Sequence, residues 1–213
     1  MVLEENHVYH IYNQGNNRQK IFFREDNYLF FLQKMKNHLL PYADIMAWCL
    51  MPNHFHWMIY VRQVEVTISG SGSGSGSATY SRAPTPGEKK VISINHSIGI
   101  LLASYTRAIQ KQEGISGSLF RSKTKAECIT KLNGITPSFF NSSHGTYLNT
   151  SNPENEYPQI CFQYVHDNPV KAKLVTKAED WEYSSFKDIC GLRNGKLINK
   201  ERIKEFELEL FGA

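Results

Sequence analysis

The chain has 213 residues, 41% hydrophobic and 21% charged, with 24 Lys and Arg against 20 Asp and Glu for a net charge of +4. This length supports one sizeable core with long loops, and the mildly basic balance suits a phosphate-bearing partner. No apolar run is long enough to cross a bilayer and no signal-peptide core opens the chain. Cys49, Cys128, Cys161 and Cys190 are too scattered for a thiolate metal site or a dense disulfide framework, so a soluble, cytoplasmic protein with no membrane partner is expected.

Residues His7 to Tyr12 are aromatic and β-branched, and the turn-forming run Asn13 to Asn17 follows, predicting a strand and then a loop that carries Arg18 and Lys20. After Asp26, the apolar residues Leu29, Phe30, Leu32, Met35 and Leu39 recur at helical spacing until Pro41. Two strands are then predicted, Asp44 to Leu50 and His54 to Val61, joined by the tight Met51-Pro52-Asn53 turn.

Alternation in the second of these strands places Phe55, Trp57, Ile59 and Val61 on one face, to pack on helices. His54, His56, Met58 and Tyr60 fall on the other. Two imidazoles side by side on one strand face can offer two nitrogen ligands to one metal ion.

Residues Ser69 to Ser77 alternate Gly and Ser, and the polar stretch to about residue 90 reads as a flexible loop inserted within the domain. A helix is predicted over Ile94 to Gln112, with Ile98, Leu101, Leu102, Tyr105 and Ile109 sharing a face. The segment Ser118 to Ile129 reads as a short strand whose Arg121, Lys123 and Lys125 alternate onto one side, a basic stripe suited to a phosphate backbone.

Residues 131–156 are polar and read as a second long insertion. Pro158 to Asn168 reads as a helix ended by Pro169. The C-terminal residues 192–213 read as an amphipathic helix or tail appended to a domain spanning 1–191, with Ile203, Phe206, Leu210 and Phe211 at helical spacing.

On the Pro158 helix, Tyr164 and Asn168 are four residues apart and share a face. If that face meets the strand face bearing His54 and His56, Asn168 can supply a third metal ligand and Tyr164 a nucleophile. Asp167 is the rival ligand, with Gln163 behind it. A mixed nitrogen and oxygen set suits magnesium or manganese, which would polarise a phosphate. Attack by a tyrosine phenolate would conserve phosphodiester energy in a covalent intermediate, as strand transfer requires.

The runs Tyr9-His10-Ile11-Tyr12-Asn13-Gln14-Gly15-Asn16-Asn17-Arg18, Cys49-Leu50-Met51-Pro52-Asn53-His54-Phe55-His56, Phe120-Arg121-Ser122-Lys123, Tyr164-Val165-His166-Asp167-Asn168-Pro169-Val170-Lys171-Ala172 and Trp181-Glu182-Tyr183-Ser184-Ser185 together resemble the REP-associated tyrosine transposases. These belong to the single-tyrosine HUH transposase superfamily, and the resemblance is collinear from about His7 to Gly191. The Gly/Ser tract and the Asn/Ser-rich insertion depart from the family's pattern.

The resemblance implies a ferredoxin-like α+β fold, an antiparallel sheet with helices packed on one face and two long loop insertions. It also implies a divalent-metal site on the central strand and cleavage of single-stranded DNA beside a hairpin through a 5′-phosphotyrosine. By matched position, His54 and His56 are the histidine ligands, Tyr164 the nucleophile and Asn168 the helix-borne ligand, in a monomer or a homodimer. Arg18, Lys20, Arg121, Lys123 and Lys125 are the candidate DNA contacts. A hairpin-binding regulator with a non-cleaving site is the runner-up, and a water-using metal hydrolase is third.

Overall fold

The computed structural model describes residues 1–69, 89–131, 140–142, 145–147 and 153–210. In chain order its elements are β1 (Val8–Gln14), α1 (Glu25–His38), β2 (Ala43–Met51), β3 (His54–Val61), β4 (Glu65–Ser69), β5 (Lys89–Ser93), α2 (Ile94–Glu113), β6 (Lys125–Cys128), β7 (Phe140–Ser142), β8 (Gly145–Tyr147), α3 (Pro153–Lys171), α4 (Phe186–Ile189) and α5 (Lys200–Glu205). Strands β1, β2, β3 and β6 form an antiparallel sheet in the order β2-β3-β1-β6. With α1 and α2 between them, they give the βαββαβ ferredoxin-like arrangement expected of the sequence.

Alternation along the two central strands builds two different layers. Tyr9 and Ile11 of β1 and Phe55, Trp57, Ile59 and Val61 of β3 join Phe31, Met35 and Leu39 of α1 and Ile98, Leu101, Tyr105 and Ile109 of α2 in one buried cluster. Val8, Cys49, Met51 and Met58 face the other way and pack with Cys161, Phe162 and Val165 of α3. Helices α1 and α2 therefore cover one face as expected, while α3 lies on the opposite face, over the strand that carries the histidines.

Local chemistry sets the element ends. The Ser93 side chain caps α2 by accepting from the His96 N–H at 3.3 Å, and Gly114 ends it in the left-handed conformation at φ +63°. At the start of α1, Asn27 Oδ1 accepts from the N–H groups of Phe23 and Arg24 at 3.0 and 3.1 Å.

Four segments differ from the sequence-based expectation. Around the Gly/Ser tract, β4 and β5 pair as a hairpin, and residues 70–88 of the predicted loop lie outside the described residues. The predicted 118–129 strand is ordered as β6 only from Lys125, so Arg121 and Lys123 stand in irregular chain. There the Asn13 side chain donates to the Arg121 carbonyl and Thr124 Oγ1, at 3.2 and 3.0 Å, in place of a strand ladder.

Helix α3 begins at Pro153 rather than Pro158 and runs through Pro169. Pro153 occupies the helix start, where a missing N–H costs nothing, and Pro169 removes only the donor that Val165 would have used. The C-terminal helix is limited to α5, because Glu207 adopts a left-handed φ of +51°. Ile203 and Leu208 are nonetheless buried in the cluster beneath α3, and Phe211 lies outside the described residues.

Candidate active site

The site forms where α3 crosses β3. His54 and His56 occupy adjacent outward positions on β3, with ring centroids 5.0 Å apart and planes at 89°. Above them, the Tyr164 ring meets the His56 ring edge-on at 5.4 Å. Asn168, one turn on, donates from Nδ2 to the Tyr164 carbonyl at 2.8 Å.

The Asn168 side chain is also within hydrogen-bonding reach of His54 and of the Tyr164 phenol, favouring the protonated imidazole and the ionised phenol respectively. The rival Asp167 has other partners: Oδ1 accepts from Gln163 Nε2 at 2.8 Å and Oδ2 pairs with Lys171 at 3.7 Å.

Burial controls the protonation of this cluster. It lowers His54 below the usual imidazole value and His56 well below it, the latter helped by the neighbouring His10 and His54 rings. Both rings are therefore neutral at pH 7, the state in which imidazole nitrogen binds a cation. Burial raises the Tyr164 phenol, with Asn168 pulling it back and Cys161 and Glu127 pushing it up. The resting nucleophile candidate is thus protonated.

Helix α3 is held at this angle by a residue that points away from the site. His166 Nδ1 donates to the Phe162 carbonyl at 2.7 Å, and its Nε2 sits 2.8 Å from Ser185 Oγ. That hydroxyl in turn accepts from the Trp48 N–H at 2.9 Å. Burial depresses His166 to about 4, so this chain of bonds from α3 through the 183–185 segment to β2 carries no charge near neutrality.

Three residues of the site were not expected from sequence. His10 and Tyr12 of β1 and Glu127 of β6 share the α3 face: His10 Nε2 lies 2.9 Å from His56 Nδ1, and the Tyr12 hydroxyl donates to Glu127 at 2.6 Å. His10 also meets the edge of Tyr164 at 5.9 Å. The alternation of β1 carried a signal for the first two. The pairing that brings Tyr12 beside His56 and His10 beside both Met58 and Glu127 is tertiary.

The five basic candidates are all exposed. None of them forms an ion pair among the described residues. Arg18 and Lys20 follow Gly15, whose N–H donates to the Asn53 carbonyl at 2.7 Å and so ties their loop to the turn before His54. A Cβ at Gly15 would fall 2.1 Å from the Gln19 carbonyl oxygen, so only glycine permits this loop. Asn16 N–H bonds the Leu119 carbonyl and Arg121 N–H the Gln14 carbonyl, both at 2.9 Å, which brings the two basic loops together at the His54 end of the sheet.

Among the described residues no three His, Cys, Asp or Glu side chains group as a metal cluster. No family model and no curated protein matches the chain. A solved REP-associated tyrosine transposase, bound to a REP hairpin, is similar with a TM-score of 0.51 at 14% sequence identity, over 90% of this chain and 83% of that one. The likeness is one of fold. No described helix is long and apolar enough to cross a membrane.

Proposed function

We propose that the chain cuts and rejoins single-stranded DNA beside a hairpin, with Tyr164 as nucleophile and a divalent ion, magnesium or manganese, held by His54, His56 and Asn168. The observation that carries this reading is the docking of α3 on the histidine face of β3, which brings a phenol and a carboxamide against two neutral imidazoles. The donors fit such an ion. His56 Nε2 is buried with no hydrogen-bond partner, and the Asn168 side chain lies within hydrogen-bonding reach of His54. Among the described residues no third histidine, cysteine or carboxylate forms a metal-holding group with His54 and His56, His10 being engaged with the far nitrogen of His56, so an amide oxygen is needed to complete the set, and we take Asn168 over the tethered Asp167.

When bound, the ion would draw electron density from the scissile phosphate and offset its charge. Tyr164 Oη attacks phosphorus and gives up its proton to water as the new P–O bond forms. The bond to the 3′-oxygen breaks, its electron pair leaves with that oxygen, and a 3′-hydroxyl forms on taking up a proton. The 5′-phosphate stays esterified to Tyr164 until another 3′-hydroxyl reverses the step. Asn168 assists by favouring the ionised phenol. Tyr164 lies against a histidine of its own chain, which supports attack within one chain.

Arg18, Lys20, Arg121, Lys123 and Lys125 would hold the DNA backbone at the His54 end of the sheet. The hairpin bound by the structurally similar transposase supports a folded-back strand as the partner. The other reading, a hairpin-binding regulator that does not cut, has one observation in its favour: burial holds the Tyr164 phenol protonated.

The deciding experiment incubates the protein with 3′-labelled, hairpin-bearing single-stranded DNA and Mg²⁺ or Mn²⁺, then resolves the products under denaturing conditions. A labelled protein band that disappears in Tyr164→Phe is expected. Cleavage without that band would mean hydrolysis by water, and binding without cleavage would mean the regulator.

A further inference from the structure

The contact between His10 and His56 determines which nitrogen of His56 faces the candidate ligand. His10 Nε2 and His56 Nδ1 are 2.9 Å apart, in rings stacked at 18° with centroids at 5.1 Å. Both residues are buried, at 7% and 5% exposure, and the second nitrogen of His56 has no partner. Two protonated rings would set N–H against N–H across this gap, so one nitrogen carries a proton and the other accepts it.

If the shared proton belonged to His10, His56 would carry its own proton at Nε2, a buried donor with no acceptor and no lone pair for a cation. With the proton on His56 Nδ1, Nε2 keeps its lone pair. His10 is in turn fixed by the Tyr12 ring at 4.9 Å and the Tyr164 edge at 5.9 Å. A ligand histidine whose far nitrogen is engaged by a neighbour is held in one tautomer and one orientation.

We propose that His10 is a positioning residue: it accepts the Nδ1–H of His56 and thereby holds the His56 Nε2 lone pair toward the divalent-ion site. The role toward the ion rests on His54, His56 and Asn168 being its ligands. The tautomer itself does not, and can be read without metal.

Long-range ¹H–¹⁵N NMR of the ¹⁵N-histidine-labelled, metal-free protein should show His56 protonated at Nδ1 and imine-like at Nε2. The reverse pattern would overturn the proposal. Manganese binding, followed by the EPR signal of the free ion, should weaken by about 10- to 100-fold in His10→Phe, which keeps a ring but loses the acceptor. His10→Gln, whose side-chain oxygen reaches near the Nε2 position, should recover most of the affinity.

Wild-type affinity in His10→Phe would overturn the role toward the ion, and so would an equal drop in both variants. If the wild-type protein takes up no manganese, the ligand reading fails, while the nitrogen assignment is still decided by its own spectrum.

Discussion

Successive residues of β3 serve opposite purposes on the two sides of one sheet. Phe55, Trp57 and Ile59 are fully buried against α1 and α2, in a layer of aliphatic and aromatic side chains. His54 and His56 lie beneath α3 with Tyr164 and Asn168, where one nitrogen has no partner and burial shifts His10, His54, His56 and Tyr164, among others, from their usual values. Orphaned and shifted groups occur in the first layer too, at the indole nitrogens of Trp48 and Trp57 and at Tyr28, His38 and Tyr105, but they are scattered through a layer of packed rings that carries stability. In the second layer the shifted groups touch one another, around an imidazole nitrogen with no partner, which is the pattern expected of a site that keeps chemistry.

Single substitutions should separate the two sides. Tyr164→Phe should reduce DNA adduct formation by at least ~10⁴-fold while leaving the denaturant midpoint nearly unchanged, since only a hydroxyl is removed. Phe31→Ala, on the α1 side, should do the reverse, costing about 3–5 kcal/mol in urea unfolding with adduct formation retained wherever the protein stays folded. If Phe31→Ala removed activity from the folded protein, the two layers would not be separable in this way.

Acid should strike the α3 side harder. In the unfolded chain each histidine takes up a proton below about pH 6.5, whereas burial holds His10 and His166 on the α3 side, and His38 alone on the α1 side, neutral down to about 4 in the fold. Between those values the unfolded state binds more protons, so stability falls as pH falls, by up to about 1.4 kcal/mol per pH unit for each ring. Urea unfolding at pH 7 and pH 5 measures the drop, and His166→Gln should flatten it. Hydrogen exchange at the lower pH should show α3 amides losing protection before those of α1 and α2.

The smallest effect belongs to the surface. Replacing Lys20 or Arg121 by Ala should weaken single-stranded DNA binding regardless of sequence and reduce the salt slope of log K by about 0.7 for each phosphate no longer neutralised. An unchanged slope would remove that residue from the DNA path.

The two sides were not equally legible in the sequence. The β3 alternation of four apolar residues against His54, His56, Met58 and Tyr60 could be read directly, because a strand's period of two is written into consecutive residues. So could the apolar stripe of α2, and the shared face of Tyr164 and Asn168 on α3. His10 could not, because its role depends on β1 pairing with β3, which joins residues 46 apart in sequence. Arg121 and Lys123 read as strand because alternation says nothing of the Asn13 side chain that displaces the ladder there. The start of α3 reads five residues late because Pro158 resembles a first-turn proline, and Pro153 fills that position instead.

The central claim is that the α3 face performs covalent chemistry, and it is tested most directly by locating the bond. The protein is reacted with hairpin-bearing single-stranded DNA and manganese, digested with trypsin and nuclease, and the nucleotide-bearing peptide is sequenced by mass spectrometry. The modification should map to Tyr164. A nucleotide on Tyr12, whose hydroxyl shares that face, or cleaved DNA with no modified peptide, would contradict the account.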